Sequence, residues 1–209
     1  AIRRTFFGGH GPDGGGALIT VTAMAATALA ALAELTGPLW SQIFAGLDYG
    51  AELRLAVLSS IPIAVGISAQ TFLQASDRAG VVVAFAATGT LGAQGLGLTL
   101  AAVEGGPVAY LAGVTIGLYA ALAIAWVAAG IGLGPLARRG QGGRSLVRSA
   151  LRVGLPTIPH GLALYLLSAG DRVVVERLEG LSAAGAYYIA YAVGSLAIFL
   201  VAALNGAWG

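Results

Sequence analysis

Apolar residues run along this chain in long, nearly unbroken stretches, broken by short clusters of charge, Gly and Pro. A barrel strand would be about 10 residues long and alternate in polarity, whereas a membrane-crossing helix needs about 20 largely apolar residues. Six stretches reach or approach the second length: 17–39, 53–73, 81–103, 108–133, 155–175 and 183–204. Lipid offers the backbone no hydrogen-bond partner, so continuous apolar runs of this length predict helices. Pro62 lies inside the second run. The fifth is the least regular, because Pro156 and Pro159 open it and Asp171 and Arg172 lie within it. Asp77, Arg78, Ala79 and Gly80 separate runs two and three, and Glu104, Gly105, Gly106 and Pro107 separate three and four. Both linkers suit tight helical hairpins. The long linker, 134–154, is the basic one.

Composition sharpens this picture. The chain has 209 residues, 57% hydrophobic and only 10% charged, against about 25% charged in an ordinary soluble domain. Its mean hydropathy is +0.86. So few charges cannot clothe a soluble fold of this size. A soluble enzyme domain, a nucleic-acid binder and a disordered chain are excluded, and an all-α integral membrane protein is expected. Cysteine is absent and histidine occurs twice. Neither a metal site nor a cofactor is expected.

Where the charges sit predicts orientation. With alternating spans and a cytoplasmic start, Arg3, Arg4, Arg78, Arg138, Arg139, Arg144, Arg148 and Arg152 fall inside, with Asp13 and Asp77. Arg54, Arg172 and Arg177 fall outside, with Glu34, Asp48, Glu52, Glu104, Asp171, Glu176 and Glu179 at or near that side. The reverse arrangement would oppose the positive-inside tendency. Both ends of the segment are therefore expected on the cytoplasmic face. The Ala1 start and the stop just after an apolar run suggest a piece of a longer protein.

Several residues invite a chemical reading. Arg144, Arg148 and Arg152 recur every four residues on one helical face, opposite Leu146, Val147 and Leu151. With Arg138 and Arg139 they describe a surface helix on anionic lipid, or a plain topological anchor. Pro156 and Pro159 fit an ordinary first turn, where a missing N–H costs little. They equally fit a broken helix of the kind that exposes backbone to a transporter cavity. With Pro62 they are hinge candidates. His160 reads as a helix-end residue or a proton carrier. Asp171 lies about 24 Å up the fifth span from Leu155. A charge there faces a cavity or partner helix, or snorkels to the interface. Arg172 and Glu176 share a face at i, i+4. Glu34 reads as interfacial. Gln70, Gln74 and Gln94 either line a polar path or bond across helices. Gly113 and Gly117, like Gly130 and Gly134, have close-packing spacing, although 33 glycines also produce it by chance. The run from Gly92 to Gly97 is no dinucleotide fingerprint, since no strand precedes it. No zinc-protease motif, nucleophile elbow or acid pair stands out, so the expectation is not an enzyme.

One series of residues carries a resemblance. Gly154-Leu155-Pro156-Thr157-Ile158-Pro159-His160 is followed by Leu166-Leu167-Ser168-Ala169-Gly170-Asp171-Arg172. Then come Gly185-Ala186-Tyr187-Tyr188 and Asn205-Gly206-Ala207-Trp208. In order and spacing this resembles the polysaccharide (O-antigen type) flippases of the multidrug/oligosaccharidyl-lipid/polysaccharide exporter superfamily. The likeness covers residues 154–208; upstream, only the layout of hairpins and basic linker matches. It implies a two-lobe bundle of about twelve to fourteen helices, of which this segment holds six. Residues 1–137 would end the first lobe with four helices. Residues 138–154 would be the cytoplasmic linker, and 155–209 would start the second lobe.

The resemblance further implies flipping of undecaprenyl-pyrophosphate-linked oligosaccharides across a bacterial or archaeal plasma membrane by alternating access. The partners would be that substrate, membrane lipids, and a polysaccharide polymerase or glycosyltransferases; nucleic acid is not expected. Arginine keeps its charge and forks onto phosphate. The cavity candidates are Arg172 first and Arg78 second, with Asp171 and Gln70 beside them; Arg78 also fits a cytoplasmic anchor. The alternatives are a multidrug/toxin extruder or lipid II flippase of the same superfamily. More distant are a membrane-embedded glycosyl- or acyltransferase and a membrane subunit without transport.

Overall fold

The computed structural model describes residues 11–43, 48–129, 148, 151–152 and 154–208. Among these, six long helices form: α1 (Gly11–Leu35), α2 (Ala51–Ala75), α3 (Ala79–Glu104), α4 (Gly106–Ala129), α5 (Ile158–Glu179) and α6 (Leu181–Trp208). No strand occurs among the described residues. The first four are each long and apolar enough to cross a membrane, so the expectation of a helical membrane protein holds at that level. Helices α1–α4 belong to one compact unit and α5–α6 to a second.

Helix ends follow local chemistry. The first apolar run reaches Leu39, yet α1 stops at Leu35 and a single turn, Gly37–Trp40, follows. Pro38 has no N–H to continue the ladder, but its fixed φ suits the start of a new turn. Asp77 closes α2 with a left-handed φ of 56°. Arg78 N–H bonds Leu73 C=O at 3.1 Å, the wrap-around bond of a helix stop. Asp tolerates that conformation better than most residues. Between α3 and α4, Gly105 and Gly106 have φ of 78° and 88°, which only glycine adopts freely. Gly180, at φ 87°, alone links α5 to α6.

Packing of the first unit rests on small and apolar residues. Leu18, Ile19, Val65 and Phe72 form one buried cluster between α1 and α2, and Ala69, Leu73 and Ala125 form another. Between α3 and α4 the contact is backbone on backbone. A Cβ on Gly113 would lie 2.7 Å from Leu96 O and from Gly97 Cα, and one on Gly117 would lie 2.4 Å from Ala93 Cα. The Gly113/Gly117 spacing is therefore a real seam against Ala93 and Gly97. Small residues let backbones meet closely where lipid supplies no hydrophobic drive. Just before Ala93, residues Thr88–Gly92 take wider turns, with Ala93 N–H bonding Thr88 C=O. This i→i+5 bulge turns the rest of α3, a step that apolar periodicity does not reveal. Gln94 accepts a hydrogen bond from Tyr110 Oη, so it bridges helices.

The α2–α4 contact explains how Pro62 is tolerated. A proline inside a helix leaves the carbonyl four residues earlier without its donor. Here that carbonyl is Leu58 O, and Tyr119 Oη of α4 donates to it at 3.1 Å. One step away, Ser59 Oγ and Thr115 Oγ1 share a hydrogen bond of 2.7 Å. Such rescue by a neighbouring helix lets membrane helices carry proline. Tyr119→Phe should therefore destabilise the protein by about 0.5–2 kcal/mol. Adding Pro62→Ala restores a donor for Leu58 O and should recover most of that loss. Unfolding midpoints in detergent would check this; a double variant no better than Tyr119→Phe would contradict the rescue.

Candidate functional site

The densest polar constellation among the described residues of the second unit lies on the α5–α6 hairpin. Asp171 is nine residues before the Gly180 link, and Tyr187, Tyr188 and Tyr191 follow it by seven to eleven. At 1.5 Å per residue both groups stand about 10–16 Å from the turn, at matching heights on antiparallel helices. Tyr188 and Tyr191, three apart, flank one groove of α6.

The Arg172 guanidinium carbon sits 4.8 Å from the centroids of both the Tyr188 and Tyr191 rings. Both contacts are within cation–π range. Tyr187 Oη donates to Asp171 Oδ2 at 2.5 Å, and the Arg172 backbone N–H donates to Asp171 Oδ1 at 2.8 Å. Both carboxylate oxygens are thus met by neutral donors. The guanidinium is held by ring faces, and its buried Nε has no hydrogen-bond partner. Stacking uses the faces of the guanidinium and not its in-plane donors, the groups through which an arginine forks onto an anion.

The i, i+4 pairing of Arg172 with Glu176 does not form. Glu176 is 8% exposed and its Oε1 lacks a hydrogen-bond partner. The tyrosine rings hold the guanidinium instead.

The remaining candidates are placed as follows. Arg78 is exposed and donates through Nη1 to Ala128 O. It therefore ties the α2–α3 turn to the carbonyl end of α4, where a cation is favourable. Gln70 is half-buried in α2. Pro62 is buried mid-helix. Pro156 lies in a one-turn 3-10 segment, Leu155–Thr157, and Pro159 in the first turn of α5. There the missing N–H breaks no ladder bond, so the irregular start is a tightened turn. His160 is exposed in that turn. Arg148 and Arg152 are exposed; Arg138, Arg139 and Arg144 lie outside the described residues, as do Gly130 and Gly134.

A second charged group sits where α1 and α2 meet. Arg54 Nε is 3.8 Å from Glu34 Oε2, and its guanidinium is 5.7 Å from the Tyr49 ring. That ring lies against Gly37, where a Cβ would come within 2.2 Å of it. Desolvation raises the Tyr49 pKa, and the Glu34 carboxylate beside it adds to the rise. No grouping of three or more His, Cys, Asp or Glu that could hold a metal occurs among the described residues.

Comparison with known protein families, curated proteins and solved structures finds no match to this chain.

Sequence reasoning singled out Asp171 and Arg172 but missed what holds them. Tyr187, Tyr188 and Tyr191 entered only as part of a resembling motif, or not at all. The available signal was their density: three of the seven tyrosines fall within five residues, at helical spacing. The Tyr119–Leu58 brace had no local signal, because its partners are 61 residues apart.

Proposed function

We propose that the chain is part of a two-lobe membrane transporter that flips undecaprenyl-pyrophosphate-linked oligosaccharides by alternating access for polysaccharide export. In this reading α5 and α6 are membrane helices that open a second lobe, giving six spans. Both ends of the segment face the cytoplasm of a bacterial or archaeal cell. The substrate joins a lipid tail to a doubly phosphorylated, sugar-bearing head. The tail stays in lipid, and the head needs a cationic polar recess on its way across.

The observation that carries this reading is the seat of Arg172. Two separate parts of the resembling series, Asp171-Arg172 and Gly185-Ala186-Tyr187-Tyr188, meet in one cluster. Its net offering is an oriented arginine, suited to a phosphate and sparing in donors for an uncharged ligand. A multidrug extruder would call for an acid within the first-lobe spans as its cation carrier. The first-unit acids Asp13, Glu34, Glu52, Asp77 and Glu104 lie at helix ends or turns, which favours the flippase.

The test is deletion of the full-length gene, followed by sidedness analysis of lipid-linked repeat units. They should accumulate in the cytoplasmic leaflet. A wild-type distribution between leaflets would refute the flippase reading.

A further inference from the structure

We propose that Arg172 has two seats, the Tyr188–Tyr191 clamp that receives an anion and the Glu176 carboxylate that takes the arginine back on release. This rests on the reading of Arg172 as the phosphate-binding group and adds the residue that frees the ligand. Two buried polar atoms in α5 lack hydrogen-bond partners: Arg172 Nε and Glu176 Oε1. A buried polar atom without a partner is costly, and more so when it belongs to a charged group. The two residues are four apart on one helix, within side-chain reach of each other. One rotamer change of Arg172 would satisfy both atoms, yet the guanidinium lies 4.8 Å from each of two tyrosine rings instead.

The stacked seat therefore leaves an unmet donor and an unmet acceptor one turn apart. An anion that displaces the packing around the stacked arginine can take the enclosed donor. When the anion leaves, the unmet Glu176 oxygen remains one turn away. The order along the helix, Arg before Glu, is the weaker orientation for such a pair, as suits a contact made and broken each cycle. Asp171 differs from Glu176 in that both of its oxygens already accept hydrogen bonds, from Tyr187 Oη and the Arg172 backbone N–H. Glu176 is thus a positioning residue that acts through Arg172.

A ligand-free experiment tests the second seat. Arg172→Met and Glu176→Gln, singly and together, form a thermal-stability cycle on the intact protein in lipid nanodiscs. The cycle is run once in the native background and once with Tyr188→Leu and Tyr191→Leu, which remove the clamp. Tyr191→Leu alone serves if the double replacement is not recovered from the membrane. Coupling should be about 1 °C in the native background, where the clamp competes for the arginine, and about 2–4 °C once the clamp is gone. Equal coupling in both backgrounds, zero included, overturns the proposal.

A binding experiment tests the consequence, with inorganic pyrophosphate as probe. Glu176→Gln should bind it about twofold more tightly than the native protein, because the weakly competing carboxylate is gone. Unchanged affinity with a raised melting temperature would make Glu176 a packing residue and overturn the proposal. Pyrophosphate binding that is absent, or unaffected by Arg172→Ala, refutes the phosphate site itself. The thermal cycle then still decides whether the second seat exists.

Discussion

Gly113→Leu should prevent α3 and α4 from docking and leave little folded protein in the membrane. Even Gly113→Ala puts a methyl carbon 2.7 Å from Leu96 O and Gly97 Cα. Those are backbone atoms and cannot rotate away. The helices must separate along the whole seam, which also loosens Ala93 against Gly117. Overpacking of this kind costs about 1–3 kcal/mol for a single methyl, and a larger side chain costs more. The control is Gly95→Ala on the facing helix, where nothing lies within 4 Å of the added carbon. An exposed helical glycine replaced by alanine gains about 0.5–1 kcal/mol. Yield and thermal midpoint in detergent should therefore move in opposite directions for the two alanine variants. A Gly113→Ala protein as stable as the native one would mean that the seam is not close-packed in the membrane.

If the chain acts as the proposed flippase, Arg172→Ala should abolish polysaccharide export while the protein still inserts at its normal level. The side chain makes no ion pair that the fold needs, and its ring contacts are worth about 0.5–2 kcal/mol. Loss of function should therefore far exceed loss of stability. Arg172→Lys should retain only part of the activity, because an ammonium keeps the charge but loses the planar fork and the double stack. Complementation of a deletion strain, scored by surface polysaccharide and by protein level in the membrane, separates these outcomes. Full export by Arg172→Ala would reduce Arg172 to an interfacial anchor.

The two expectations also show what a linear reading can reach. Gly113 and Gly117 were visible as a spacing, but 33 glycines make many such spacings. Whether one is a seam depends on what faces it, here Ala93 and Gly97 just beyond the bulge at Thr88–Gly92. Arg172 was visible because charge in an apolar run is expensive and so has a reason. The i, i+4 spacing places Glu176 on its face of the helix, and the structure sets the guanidinium against tyrosines on the next helix. Local geometry permits both, and the α5–α6 register at Gly180 chose between them. Pro62 was legible as a weak point in a helix, while the hydroxyl that relieves it comes from α4.

Solvent and structural class follow from the pattern of residues alone. Long apolar runs with few charges require lipid, and lipid requires that each backbone segment bond to itself. Helix formation is consequently local, and the turns at Asp77, Gly105, Gly106 and Gly180 are local as well. Only the tertiary structure decided which side of each helix meets another. In membrane helices nearly every face is apolar, so hydrophobic pattern no longer distinguishes inside from outside. That choice falls to close steric fit and to single hydrogen bonds between residues far apart in the chain: Gly113 on Gly97, Tyr119 on Leu58, and Arg172 between Tyr188 and Tyr191.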